Sequence, residues 1–342
     1  MLVNYNLLHH FRNLWPTLRE FNLRCEMDVH NFALTITWRG KELVLQGQFS
    51  SMETGVLTYG PYVGMDVRHF IGWRPYAGKT WPLARDKIPF KEFLKEHGIR
   101  TPAYSRHPSA DMSDVVVKRI RSSFGQNMHG PFKKSSMYNL NALEGEFYEQ
   151  YIDGTIVKIW YWNDLPVAAE AIDQFYVIGD GRSTIWELIE AYVKSIERSA
   201  PDPDYYTEFL AYRGLTLKSV PKRDERCPID YRYNSGFPNQ GRDVRIGKDP
   251  FFNLEAELAA MGLIFWKGIP EDIRQDTVYG VDGVVDRNGK LWILEMNSNP
   301  VVHPYVYPAM IRSWLDRVRT ERPQPPRQPV PRKVLLGAVH LP

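Results

Sequence analysis

The stretch that decides the reading is Val281-Asp282-Gly283-Val284-Val285-Asp286-Arg287-Asn288-Gly289-Lys290-Leu291-Trp292-Ile293-Leu294-Glu295-Met296-Asn297-Ser298-Asn299-Pro300. Asn288-Gly289 between two β-prone runs is a strong hairpin signal. A two-residue turn centred there sets Asp286 opposite Leu291, Val284 opposite Ile293 and Asp282 opposite Glu295. Directly opposed residues have Cβ atoms about 4.5–5.5 Å apart, and like charges so placed destabilise a sheet. On this register Val284, Leu291 and Ile293 share the acids' face, so the pair is partly buried. It then needs a cation or a retained proton. Asn297 adds a neutral oxygen to the same face. Two carboxylates and an amide oxygen suit a hard divalent ion, as magnesium is held in nucleotide-using sites. The plain alternative is a surface hairpin with two solvated acids. Val281, Val285, Trp292 and Leu294 on the other face argue against it, because strands apolar on both faces are usually covered on both.

The 342 residues are too many for one small core and fit two or three packed subdomains. Hydrophobic content of 43% and charged content of 24% are those of a globular protein. No apolar run approaches the roughly 20 residues that span a bilayer. The start, Met1-Leu2-Val3-Asn4-Tyr5-Asn6, has no secretory pattern. Cys25 and Cys227 lack metal-type spacing and read as free thiols. A cytoplasmic location is the expectation. Basic and acidic residues nearly cancel at net +3 with no clustered block, so no nucleic-acid partner is expected. A homo-oligomer is left open.

Along the chain, residues 5–22 carry an amphipathic helical pattern despite Pro16. Residues 32–38 and 42–46 flank Arg39-Gly40-Lys41 as a hairpin, and 55–64 reads as a glycine-rich loop. Asp86 to Leu94 is a helix ending near Gly98, Asp114–Ile120 is a strand ending in basic residues, and Phe147–Gly154 is an apolar strand followed by a turn. A strand followed by Lys118 and the small-residue run 121–130 suits an anion, since backbone N–H groups can line it. It is not a Walker A loop. A helix is expected over 253–261. After Arg322 five prolines preclude regular helix.

Glu295-Met296-Asn297-Ser298-Asn299-Pro300 resembles the E-x-N-x-N-P signature of the ATP-grasp ligases. The continuation to Pro308, with His303 and Tyr307, is similar to N-P-x-x-H-x-x-x-Y-P of the ligase modules of bifunctional glutathione synthetases and cyanophycin synthetases. A second stretch, Val177 to Ile189, resembles that branch's V-x-G-D-G-x-S-T-I-x-E-L-I. The resemblance covers roughly 86–316. It implies an α+β ATP-grasp fold, with nucleotide held between two antiparallel-sheet subdomains and an N-terminal α/β region. The divisions it suggests are 1–84, a lid at 85–165, a catalytic subdomain at 166–320 and a Pro-rich tail at 321–342.

The same resemblance assigns roles. Asp282, Glu295 and Asn297 would bind Mg²⁺, with Mn²⁺ as a substitute ion. Lys87, from a D-K-x-x-x-K helix, and Lys118 would reach ATP phosphate, Ser122 and Gly125 would belong to the closing loop, and Glu149, Gln150, Tyr151 and Ile152 would meet the adenine. Arg232, Asn234 and His303 would serve the acyl phosphate and substrates in one cavity beside the metal, although a solvated Arg232 and a His303 capping a carbonyl are nearly as good readings. Two departures stand out: Ile156 replaces an acid that commonly contacts ribose, and Lys158 replaces an arginine. The implied chemistry joins a small-molecule carboxylate and an amine, an amino acid or peptide among them. A small-molecule kinase and an inactive binding domain are the rivals.

Overall fold

In a computed structural model, the structure describes residues 7–53, 56–109, 112–121, 128–134, 142–197, 202–233, 242–244, 246 and 254–320. Ser122, Gly125, Asn234 and the tail from 321 lie outside them.

The N-terminal region opens with α1 (Leu7–Glu20), which buries Leu14 and Leu18 and keeps Pro16 on its exposed side. Its sheet comprises β1 (Arg24–Met27), β2 (Leu34–Trp38), β3 (Lys41–Glu53), β4 (Val56–Gly60) and β5 (Val67–Arg74). The β2–β3 turn has Arg39 and Gly40 both at positive φ, the backbone of a two-residue type I′ hairpin. Strand β3 is long enough to pair β2 with its first half and both β4 and β5 with its second. The expected loop at 55–64 is therefore corrected: half of it is β4, whose Leu57 and Tyr59 point to one side by the strand's two-residue period.

Next come α2 (Pro82–Arg85) and α3 (Lys87–Glu96), the latter capped by Asp86, which accepts from Ile88 N at 3.2 Å. A four-stranded antiparallel sheet follows, built from β6 (Tyr104–Ser105), β7 (Val115–Arg119), β8 (His129–Phe132) and β9 (Glu146–Gln150) in the order β6-β9-β7-β8. Alternation along β7 sends Val115 and Val117 into a small core and turns Val116 and Lys118 to the opposite side.

The chain then enters β10 (Gly154–Trp162), β11 (Leu165–Ile172), β12 (Phe175–Ile178), α4 (Ile185–Ser195), α5 (Asp204–Tyr212), β13 (Arg226–Asp230) and β14 (Arg242–Val244). Last are α6 (Glu255–Lys267), α7 (Glu271–Arg274), β15 (Val278–Asp286), β16 (Leu291–Asn297) and α8 (Val306–Thr320). The large sheet runs β14-β11-β10-β15-β16, antiparallel throughout. The division expected at 165 falls inside this sheet. Helix α3 also buries Phe90 and Leu94 against it.

Two cores hold the large sheet. Val157, Ile159, Tyr161, Val281, Val285 and Ile293 face α3 and α6. Trp160 and Trp162, on the reverse face, pack with α1, α8 and the N-terminal sheet. Only part of that reverse face is covered, and Ile156, Lys158, Asp282 and Val284 floor a cleft beneath the small sheet. No described helix is long and apolar enough to cross a membrane.

The Val177–Ile189 motif builds a satellite unit of β12, β13, α4 and α5. Asp180 accepts from Arg182 N at 2.8 Å and Ser183 N at 2.7 Å, and Thr184 and Glu187 form a reciprocal capping box at the start of α4. None of the motif's residues lines the cleft.

Candidate active site

The decisive hairpin forms with a register different from the expected one. Its turn is three residues, Arg287-Asn288-Gly289, with Gly289 at φ +73°. The Asp286 carboxylate fixes it by accepting from Asn288 N at 2.8 Å and Lys290 N at 3.0 Å. A three-residue loop ending in a left-handed glycine shifts the ladder by one position relative to a two-residue turn. Val285 therefore pairs with Leu291, Val284 with Trp292 and Gly283 with Ile293. A bulge then leaves Leu294 without a partner, and Asp282 faces Glu295 as expected. The correction matters for the faces. Leu291 and Ile293 lie in the core, whereas Val284 and Leu294 join the acids and Asn297 in the cleft.

Lysines from three elements meet these acids. Lys87 Nζ lies 3.0 Å from Glu295 Oε2, and Lys158 Nζ lies 3.3 Å from Asp282 Oδ1. Lys158 is also the cross-strand partner of Asp282 in the β10–β15 ladder. Burial raises the pKa of both carboxyls, but Lys87 and Lys118 outweigh it at Glu295 and leave that group below its usual range. At Asp282 burial, reinforced by Glu295, wins over Lys158 and the group stays raised. The pair is thus unequal, as opposed carboxylates should be.

The residues fit a hard cation. Asp282 Oδ1 is buried and has no hydrogen bond of good geometry among the described residues. Asn297 Nδ2 donates to Asp282 Oδ2 at 2.8 Å, which leaves the amide's oxygen as the acceptor a cation would use.

Across the cleft, Glu149 is a buried carboxylate held between Lys91, at 2.5 Å, and Lys118. Burial alone would raise its pKa, yet Lys118 and Lys91 bring it down to about 2. Lys91, fully buried and bonded to Thr101 Oγ1 at 3.2 Å, is itself pushed down by burial. Glu149, Gln150, Tyr151 and Ile152 all line the cleft, as do Lys87 and Lys118.

The segment after β13 crosses the roof. Tyr231 packs 5.3 Å from Tyr151, and Tyr233 lies with its ring 5.0 Å from the Lys158 ammonium. Arg232, between them, donates Nε to Asp230 at 2.9 Å and lies 3.5 Å over the Tyr205 ring. It is a braced cleft arginine, not a solvated one.

His303 does not share that cavity, contrary to expectation. It is 1% exposed, packed on Trp160, with Nε2 3.1 Å from Asp243 Oδ1 and 3.9 Å from Glu170 Oε1. Its Nδ1 accepts from Tyr305 N at 3.2 Å. An imidazole accepting at Nδ1 carries its proton at Nε2 and donates there. A metal at Nε2 would instead require Nδ1 to donate, so Glu170, Asp243 and His303 do not fit a metal centre. The imidazole is drawn away from the cleft by two acids on β11 and β14 that no local sequence pattern reveals.

The sequence reading missed Lys91, Tyr59 and Tyr233, and treated Lys158 only as a departure. Lys91 was within reach, four residues after Lys87 on the same helix face. Lys158 was not, because its partner lies on a strand far away in sequence. The cleft as a whole encloses about 1080 Å³, at the upper end for small-ligand sites and room for two substrates.

No family model matches the chain, and no curated protein matches it. Solved structures do. A bifunctional glutathione synthetase from Pasteurella multocida is similar over 90% of this chain and 43% of its own, with 16% identity and a TM-score of 0.43. A D-alanine–D-alanine ligase from Bacillus anthracis complexed with ATP is similar over 69% of this chain and 68% of its own, with 12% identity and a TM-score of 0.36. An L-amino acid ligase from Bacillus licheniformis is similar over 67% and 45%, with 14% identity and a TM-score of 0.34. The chain spans under half the length of the first of these proteins and of the third. Two antiparallel sheets close a cleft, one supplying Lys118 and Glu149 and the other Lys158 and the opposed acids of the 282–297 hairpin, which is the two-sheet α+β arrangement expected from the sequence.

Proposed function

We propose that this protein is an ATP-dependent carboxylate–amine ligase acting on an amino acid or short peptide through an acyl phosphate. The observation that carries the reading is the convergence of Asp282, Glu295 and Asn297 with Lys87, Lys118 and Lys158 in one cleft. Lys118, Lys87 and Lys158 would hold the phosphate chain, and the strand end at 149–152 would receive the adenine. A magnesium ion on Asp282, Glu295 and Asn297 would neutralise charge on the transferred phosphoryl oxygens.

In the first step a substrate carboxylate oxygen bonds to the γ-phosphorus as the bond to ADP breaks. In the second an amine nitrogen bonds to the acyl carbon, the bond to phosphate breaks, and the amine's surplus proton passes to solvent. Charge grows on oxygen in both, and preorganised cations in a water-poor cleft stabilise it. Arg232 is suited to the acyl phosphate because its guanidinium is already fixed by Asp230 and Tyr205. His303 is assigned no substrate contact; it anchors β14 through Asp243.

The test is to incubate the protein with ATP, magnesium and a panel of amino acids while following phosphate release and product mass. A ligase releases phosphate only when both carboxylate and amine are present and yields an amide. ADP with a persistent phosphorylated product would make it a kinase. ATP binding with no turnover under any pairing would leave a binding domain.

A further inference from the structure

The cleft has a second end, away from the hinge at 149–152. Along β10 the residues facing the cleft run from Gly154 through Ile156 to Lys158, and Trp160 beyond them donates Nε1 to Val301 O at 2.7 Å. The walls there are Leu57 and Tyr59 of β4, Tyr233, Pro300 and Val301. Tyr233 is hydrogen-bonded through its hydroxyl to Glu170 and interacts electrostatically with Asp282 and Tyr59, so these groups are neighbours. With its polar edge turned to Glu170, Tyr233 contributes its ring to the cleft.

We infer that Leu57, Tyr59 and Tyr233 form the side-chain subsite of the amino-acid substrate, and that it takes an aromatic or branched aliphatic side chain. The inference rests on the ligase reading above. It follows from what the subsite contains and from how its charges are committed. Among the described residues lining this end, the charged groups are Lys158 and Asp282, which face each other at 3.3 Å. Of the other charged side chains lining the cleft, Lys87 is paired with Glu295, Lys118 with Glu149 and Arg232 with Asp230, while Arg119, Asp204 and Glu208 belong to β7 and α5. An acidic side chain entering here meets no uncommitted cation, and a basic one meets no uncommitted carboxylate. Burying either would go uncompensated, whereas an apolar side chain gains contact with two rings and a leucine. The substrate's own carboxylate then lies toward the acids' cation, where phosphoryl transfer is proposed.

The experiment uses the full chain with magnesium and a saturating non-hydrolysable ATP analogue, and titrates phenylalanine, leucine, aspartate and lysine by calorimetry. Phenylalanine and leucine are expected to bind, with aspartate and lysine weaker by about a hundredfold. Tyr59→Ala should raise the phenylalanine Kd about tenfold or more without shifting the analogue's Kd, and Tyr59→Phe should restore most of the loss. Leu57→Arg should move the preference toward aspartate, a gain that a merely misfolded variant cannot show. Aspartate or lysine binding as tightly as phenylalanine, or a phenylalanine Kd indifferent to Tyr59→Ala, overturns the inference. The two readings fail separately. Amide formation with aspartate as readily as with phenylalanine removes the subsite and leaves the ligase. Tyr59-dependent phenylalanine binding with a phosphorylated product removes the ligase and leaves the subsite.

Discussion

At the scale of single residues, the site is a set of charges that tolerate each other only in groups. Glu295 illustrates this, because it repels Asp282 across the strand pair yet is held by Lys87. Glu295→Gln relieves the repulsion and loses the Lys87 pair, two effects that offset each other. The expected result is ATP turnover reduced by at least about a hundredfold, with a melting temperature within a few degrees of the parent. Near-normal turnover at saturating magnesium would remove the metal assignment. Glu149 has no such offset. Glu149→Gln leaves Lys91 and Lys118 facing each other at the buried end, at a cost of about 3–5 kcal/mol in urea denaturation. The pH dependence has a definite sign. A carboxyl whose folded pKa is about 2, against 4.5 unperturbed, stabilises the fold above the unfolded value. That contribution is lost as pH falls from about 4.5 through about 2. Lys91, depressed by burial, works in the opposite direction and makes the cluster worth less than Glu149 alone suggests. An acid titration of stability in Glu149→Gln should therefore be flatter than in the parent over that window.

At the scale of elements, motifs that look alike in sequence do different work. The hairpin signature shapes the candidate site, because its bulge at Leu294 turns Leu294 and Glu295 together into the cleft. The Val177–Ile189 motif carries folding. A Cβ on Gly179 would stand 2.1 Å from Lys222 O, a backbone atom that cannot swing aside. Gly179→Ala is expected to destabilise the protein by more than about 2 kcal/mol while leaving ATP affinity unchanged in whatever fraction remains folded. Thr184→Ala, which removes the capping hydroxyl, should cost only about 1 kcal/mol. Loss of nucleotide affinity in folded Gly179→Ala would show that this unit takes part in the site. The hairpin was legible because its signals are local, Asn-Gly turn chemistry and alternation along a strand, and the Val177–Ile189 stretch because it resembles a contiguous family pattern. The turn's true length was not. Asn-Gly serves two- and three-residue loops alike, and only the hydrogen bonds of Asp286 decide between them.

At the scale of the whole molecule, the N-terminal region docks on the signature loop itself. Asn299 Oδ1 accepts from Arg74 Nη1 at 2.6 Å and Lys79 N at 3.1 Å, and Asn299 Nδ2 donates to Lys79 O at 2.6 Å. Arg74 is 1% exposed and also bonds Gln48. Asn299→Ala strands these groups and should cost about 2–3 kcal/mol. It should also raise the KM for the amino acid more than that for ATP, because β4 comes from the same sheet as Arg74. An equal rise in both constants would contradict that division of labour. The sequence by itself determined the opposed acids, Asn297 on their face and the α+β class, whereas Lys87, Lys118 and the strand end at 149–152 were singled out by a family resemblance. Each of these is written in neighbouring residues, through turn chemistry, period-two alternation or a contiguous signature. Only the tertiary structure decided that Lys158 answers Asp282, that Lys91 and Lys118 share Glu149, that His303 turns to Glu170 and Asp243, and that β4 walls the cleft. Those pairings join strands and helices up to about 130 residues apart, and burial, which sets their strength, belongs to the packed molecule and not to any stretch of the chain.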